Sequence, residues 1–271
     1  HKHRRRQRQM CIRDRSKTIT WYRFCNLCIS WNWRSVWWGQ KNDTFSVSEE
    51  YKKYIPQEFN LGDKDLALNL FRNQLFSEGK SLTQITNIIT DKFDLNCKIL
   101  PMSDNLVSTK IKTSNGKLLD FQEYFVELKS EPEISDVIYS ESEKADITME
   151  VSNALDQADK IVVGPSNPIL SIGPILAIQN LKEKLTNSSS TYVVSPFIEN
   201  KAIKGPSKKN FEDLGYKSDI TGIKEFYNNI GNYYIVQSGD TDKAENTIEK
   251  NILFKSTEDS TNLARYIVDH E

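Results

Sequence analysis

Between Asp65 and Phe93 the apolar side chains recur at helical spacing on either side of Glu78, Gly79 and Lys80. That spacing predicts two helices joined by a glycine-containing turn. Short runs of strand character follow in CKIL (97–100), LVSTKIKT (106–113) and KLLDFQEYFVEL (117–128). The Ser114-Asn115-Gly116 stretch between the last two predicts a hairpin, because Asn and Gly accept the left-handed backbone of a tight turn. DVIYS (136–140) is a further strand candidate after a proline-containing connection.

The second half alternates differently. NALDQAD closes a helix, KIVVG is a buried strand, NLKEKLTN is helical and TYVVSP is a strand again. FEDLG and ITGIKEFYNNI read as helices, YYIVQS as a strand, and STEDSTNLARYIVDH as a closing helix. Apolar strands separated by helices predict a parallel sheet covered on both faces. The expected fold class is therefore α/β: a Rossmann-like, mostly parallel sheet with helices on both faces, plus a smaller α+β insertion at about 65–140. Such sheets bind ligands at the carboxyl ends of their strands.

Composition changes this picture only at the start of the chain. Hydrophobic residues at 38% and charged residues at 27% give the balance of a soluble globular protein. No apolar run approaches the roughly 18 to 20 residues of a membrane span. The basic start is not followed by a signal-type apolar stretch, so cytoplasmic residence without membrane contact is expected. Residues 1–40 carry ten Lys or Arg against one acid, Asp14, whereas the remainder carries 26 basic against 36 acidic side chains. All five Trp lie between Trp21 and Trp38, and Cys11, Cys25 and Cys28 share that segment. Arg8 to Arg15 resembles an accidentally translated sequencing adapter. Read one nucleotide later, the codons allowed for Trp21 to Gly39 permit a strand- or loop-like string ending in Gly-Gly just before Lys41. Residues 1–40 are therefore read as adapter joined to a frameshifted stretch, and residues 41–271 as one domain. The Cys25 and Cys28 pair lacks two further ligands at zinc spacing. The lone Cys97 reads as a small apolar residue. The acidic body opposes nucleic-acid binding, which needs a basic footprint.

Candidate chemistry concentrates after KIVVG. The buried strand ends at Val163 and the chain turns through Gly164, Pro165, Ser166, Asn167 and Pro168, then through Ser171, Ile172, Gly173 and Pro174. Glycine lets a ligand approach the backbone, Ser and Asn offer short donors, and a following helix start favours phosphate. A plain strand-to-helix turn stiffened by prolines explains the same residues about equally well.

GPSNP followed by SIGPI resembles the 2-phospho-L-lactate transferase family, and other stretches agree in order. KNDTF (41–45), LGDKDLA (61–67, with Lys64 for the usual Arg), ILPMSD (99–104) and FQEY (121–124) are similar to family segments. So are Val194-Ser195-Pro196 and Lys204-Gly205-Pro206. The family's Gly-Gly-Thr-Gly loop does not occur in this chain, its acidic pair falls within residues 1–40, and Asn60 and Asn69 stand where relatives commonly have Lys and His. The resemblance implies transfer of 2-phospholactate, or its enolpyruvate analogue, from a guanosine diphosphate donor to the deazaflavin Fo, with release of GMP. It also implies Mg²⁺ and a homodimer, and makes residues 41–271 a single transferase domain. Positioning, charge neutralisation and an in-line hydroxyl are what such a transfer requires, and Mg²⁺ accepts carboxylate and phosphate oxygens together. Asp43, Asp63 and Asp65 are the candidate catalytic carboxylates, with Asp43 and Asp63 for the metal. For each, a helix cap or turn role is the commoner one. No His lies between positions 4 and 269, which leaves no histidine base there. Thr44, Phe45, Asn60, Gly62 and Lys64 are candidate substrate contacts. So are Gly164, Pro165, Ser166, Asn167, Pro168, Ser171, Gly173, Ser195 and Lys204. The weaker alternative is a non-catalytic nucleotide-sugar-binding regulator of the same superfamily. Resequencing the source DNA is expected to reveal a frame break between codons 16 and 40; an intact frame without adapter would remove that reading.

Overall fold

The computed structural model describes residues 42–54, 61–93, 97–199, 201–202, 205–228, 230–240 and 245–270. The suspected artefact at 1–40 therefore lies outside the described residues, as do Asn60 and Lys204. The chain divides into two compact units, one running to Leu106 and taking in Phe121–Glu131, the other comprising Val107–Asp120 and Pro132–Glu271.

The first unit is helical where it is described. Helix α1 spans Ser46–Tyr51, α2 Asp63–Ser77 and α3 Leu82–Thr90. Helix α2 stops as its sequence anticipates: Gly79 takes φ +79°, and the amides of Gly79 and Lys80 return to the carbonyls of Phe76 and Leu75. This pairing closes the last turn of a helix around a left-handed glycine. Helix α3 starts with a reciprocal cap, the Ser81 hydroxyl accepting from the Gln84 amide and the Gln84 side chain accepting from the Ser81 amide. Asp104 adds a second cap from outside, accepting the Thr83 amide at 2.7 Å. Leu75, Ile85 and Ile89 form the buried core, with Leu68, Phe76 and Ile88 packed against it. Phe121–Glu131 departs from the expected strand. Its residues form helical turns, widened at Glu123–Glu127, with Tyr124 buried and Phe121 stacked on Phe125 at 5.2 Å. Aromatic pairing four residues apart overrides the apparent alternation of FQEYFVEL. Residues 97–100 form no strand either.

The second unit begins with a three-stranded antiparallel sheet of β1 (Ser108–Thr113), β2 (Leu118–Asp120) and β3 (Ile134–Ser140), in the order β2-β1-β3. The expected hairpin joins β1 to β2, with Gly116 at φ +84°. Helix α4 (Met149–Asp156) leads into β4 (Ile161–Val163), then into a π-type turn at Pro168–Ile172, α5 (Gly173–Leu176) and α6 (Gln179–Thr186). Strand β5 (Thr191–Val194) is followed by a small hairpin of β6 (Phe197–Ile198) and β7 (Lys201–Ala202). Helices α7 (Ser207–Asp213) and α8 (Ile220–Phe226) precede β8 (Tyr233–Gln237), β9 (Thr247–Lys250) and α9 (Thr257–Asp269).

Strands β4, β5, β8 and β9 pair in that order, all parallel, so the α/β expectation holds. Successive side chains of a strand point to opposite faces. Tyr192, Val194 and Ile235 pack with Ile252, Leu263 and Ile267, the last two from α9. Val193, Tyr234 and Val236, their opposite-facing neighbours, are also buried. Both faces are therefore covered, as a parallel sheet requires. The capping box of Ser256 and Asp259 starts α9. Among the described residues no helix is long and apolar enough to cross a membrane.

Ile235 has no exposed surface at the middle of this sheet. Ile235→Ala is expected to lower unfolding stability by roughly 2 to 5 kcal/mol, read as an earlier urea midpoint with unchanged slope.

Candidate active site

In the first unit, the segments around KNDTF and LGDKD meet at the starts of α1 and α2. A helix start leaves amide N–H groups without partners inside the helix. The residues preceding α1 and α2, Phe45 and Gly62, make no side-chain cap. Each helix is instead capped by an aspartate belonging to the other segment. Asp63 Oδ2 accepts the Ser46 amide at 3.1 Å and Oδ1 the Val47 amide at 3.0 Å, which closes α1. Asp43 Oδ1 accepts the amides of Thr44 and Lys64, both at 2.9 Å, which closes α2. The Thr44 hydroxyl donates to Asp63 Oδ2 at 2.5 Å. That bond is the chief cause holding the Asp63 carboxyl below its ordinary value of 3.8; desolvation is the next largest effect and opposes it, while the Val47 and Ser46 amides add to the lowering.

The second oxygen of Asp43 stands apart. Asp43 Oδ2 is buried and has no hydrogen-bond partner among the described residues, although the residue as a whole is only half-buried. It lies against Gly62, where an added β-carbon would sit 2.0 Å from it. Gly62 is thus a close-approach glycine whose bare backbone leaves room for the carboxylate. A buried, unpaired carboxylate oxygen is costly unless a donor or cation reaches it. Asp43 therefore fits one ligand position of a hard divalent ion. Asp63 fits less well, since its oxygens already receive three donors. Asp65 is buried in the first turn of α2, Lys64 is exposed, and Phe45 is half-buried. Among the described residues no group of three or more His, Cys, Asp or Glu side chains is arranged to hold a metal ion.

In the second unit, GPSNP lies at the carboxyl end of β4. Asn167 is buried, and its Oδ1 accepts the amides of Ile169 and Leu170, both at 3.0 Å. Its backbone carbonyl accepts Ser171 and Ile172. Pro168 has no amide to donate. The first N–H groups of the 168–172 turn are thus answered by Asn167 itself. The Asn167 Nδ2 donates to Asn210 Oδ1 at 3.0 Å, and Asn210 has no exposed surface. The Ser166 amide closes on the Gly164 carbonyl at 2.7 Å.

The two glycines differ in what requires them. A β-carbon on Gly173 would meet the Tyr139 oxygen at 2.0 Å, and that hydroxyl donates to the Ile169 carbonyl at 2.7 Å. Gly173 is accordingly a packing glycine. At Gly164 nothing lies within 4 Å of the added atom, and no positive φ demands glycine there. Open space beside a glycine at a parallel strand's carboxyl end suits close approach of a ligand. Pro165 is exposed, Ser166 and Ser171 are half-buried, and Pro168 is buried. Ser195, after β5, is buried, accepting the Phe197 amide and donating to the Phe197 carbonyl, both at 3.1 Å. Its hydroxyl forms a turn. Sequence reasoning missed Tyr139 and Asn210. For the latter, the one available signal is a polar Asn inside a short helix, where its helix propensity is poor.

A family model described as 2-phospho-L-lactate transferase CofD matches residues 16–265 of this chain. The chain belongs to the 2-phospho-L-lactate transferase family. The 2-phospho-L-lactate transferase of Methanococcus vannielii is 35% identical over 244 residues, 87% of this chain and 78% of the relative. That of Methanocaldococcus jannaschii is 33% identical over 242 residues, covering 86% and 78%. That of Methanosarcina mazei is 33% identical over 245 residues, covering 87% and 80%. The crystal structure of protein BH3568 from Bacillus halodurans superposes with a TM-score of 0.56 at 14% identity, over 74% of this chain and 71% of that one. That likeness concerns the fold alone. In this chain KNDTF and LGDKD fall at helix starts, and GPSNP follows the edge strand β4.

The depressed Asp63 pKa fixes a pH dependence. A carboxyl lowered on folding contributes fully above its ordinary value of 3.8, and the contribution is lost as pH falls through that value towards the folded one. The difference in thermal midpoint between the parent chain and Asp63→Asn should stay constant above about pH 5 and close below it. A difference that ignores pH across this window would show that the carboxylate charge does not hold α1.

Proposed function

We propose that this chain transfers a 2-phospholactate group, or its enolpyruvate analogue, from a guanosine diphosphate-linked donor to the terminal ribityl hydroxyl of the deazaflavin Fo, releasing GMP. The observation that carries this reading is the family match over residues 16–265. Three relatives named 2-phospho-L-lactate transferase, 31% to 35% identical to this chain, support it. In this reaction the acceptor oxygen bonds to the phosphorus that carries the lactyl group. The bond from that phosphorus to the oxygen of GMP breaks, and the hydroxyl proton passes to a base. Such a displacement depends on alignment and on neutralising charge at the transferring phosphoryl group.

Gly164 and Ser166 are assigned to the donor, because the backbone at Gly164 is open. Pro165, Pro168, Ser171, Gly173, Ser195, Asn60 and Lys204 remain proposed neighbours, the first four through the shape of the turn. Asn167 shapes that turn from within. Thr44, Phe45, Gly62 and Lys64 remain proposed substrate contacts at the aspartate-capped corner of the first unit. A Mg²⁺ ion would be held by Asp43, and less readily by Asp63, and would supply charge neutralisation. Asp63 positions Thr44 and α1. No histidine lies between positions 4 and 269, and among the candidate carboxylates Asp43, Asp63 and Asp65 we assign proton acceptance to Asp65. Residence in the cytoplasm and a homodimeric state belong to the same proposal.

The test is incubation of the frame-restored protein, beside the chain as printed, with Fo, Mg²⁺ and each guanosine diphosphate donor in turn. Mass spectrometry should detect the phospho-linked deazaflavin and GMP with one donor, which names the substrate. No product with either donor, together with binding of a nucleotide sugar, would replace this reading with the regulator.

A further inference from the structure

We infer that Asn210 is a positioning residue for the donor, acting through Asn167 on the Gly164–Pro168 turn; this rests on the assignment of that turn to the donor. Asn210 lies in α7 and has no exposed surface. Burying a carboxamide is unfavourable unless its polar atoms are matched. The network fixes which atoms match. Two backbone N–H groups, from Ile169 and Leu170, point at one atom of the Asn167 side chain, so that atom is the oxygen. The nitrogen must then face Asn210, and Asn210 must present oxygen, as the 3.0 Å contact has it.

This orientation admits no simple escape. If Asn210 lost its oxygen, the Asn167 amide group would be left buried without that acceptor. Turning the Asn167 side chain over would aim its NH₂ at two N–H donors. The other course is for Asn167 to leave its rotamer, which releases Ile169 and Leu170. The Asn167 carbonyl also receives Ser171 and Ile172, so a displaced Asn167 loosens the whole turn from Gly164 to Ile172. Asn210 acts on the turn one side chain away, through Asn167.

The experiment is a double-mutant cycle in the full chain. Asn210→Leu removes the acceptor, Asn210→Asp keeps one, and each is combined with Asn167→Ala. The donor KM of Asn210→Leu should rise about tenfold with the Fo KM unchanged, since one such hydrogen bond is worth about a factor of ten. Asn210→Asp should recover to within about threefold, and Asn210→Leu should add little in the Asn167→Ala background. Amide hydrogen exchange at Ile169 and Leu170 should accelerate in Asn210→Leu. If Asn210→Leu does not fold, Asn210→Ser enters the same cycle. An unchanged donor KM beside a lowered Tm, an Asp variant no better than Leu, or full additivity with Asn167→Ala would overturn the inference. Should the parent chain turn over no donor, the functional proposal fails, and the exchange measurement decides the Asn167–Asn210 lock separately: acceleration upholds it and unchanged rates overturn it.

Discussion

Backbone amides at the first turn of a helix need acceptors, and the segments richest in candidate residues are organised by how this chain supplies them. Asp63 closes α1, Asp43 closes α2, and Asp104 supports α3. Asn167 closes the turn after β4 from its own position. In the first three cases the acceptor comes from outside the helix it caps. Each cap therefore joins two segments as well as starting one helix. The corner around Gly62 is the clearest instance, because each of its two aspartates holds the helix beside the other.

The same arrangement separates positioning from chemistry. Asp63 meets three donors and has little left for a ligand, whereas Asp43 keeps one buried oxygen without a partner among the described residues. In the second unit Asn167 is similarly committed, and the open backbone lies three residues earlier at Gly164. Motif membership alone treats these positions as equals. Hydrogen-bond accounting ranks them.

Much of the fold is legible in the sequence. The two helices around Gly79, the hairpin at Gly116 and strands β4, β5 and β8 all follow from periodicity and turn chemistry. Strand β9 and the β6–β7 hairpin were not legible, since four residues of TIEK and two of FI carry too little pattern to be told from loop. The FQEYFVEL stretch misled because aromatic spacing of four competes with an alternation of two. For the candidate site, GPSNP was readable as a turn after a buried strand. The caps exchanged between Asp43 and Asp63 were not, because they depend on two segments twenty positions apart coming together. Asn210, 43 positions beyond Asn167, was hidden for the same reason.

Gly173 and Tyr139 have a consequence for how relatives of this chain can diverge. The phenol occupies the volume that any side chain at 173 would need. A larger residue at 173 calls for a shorter one at 139, and the loss of that hydroxyl leaves the Ile169 carbonyl without its donor. The two positions are therefore expected to vary together.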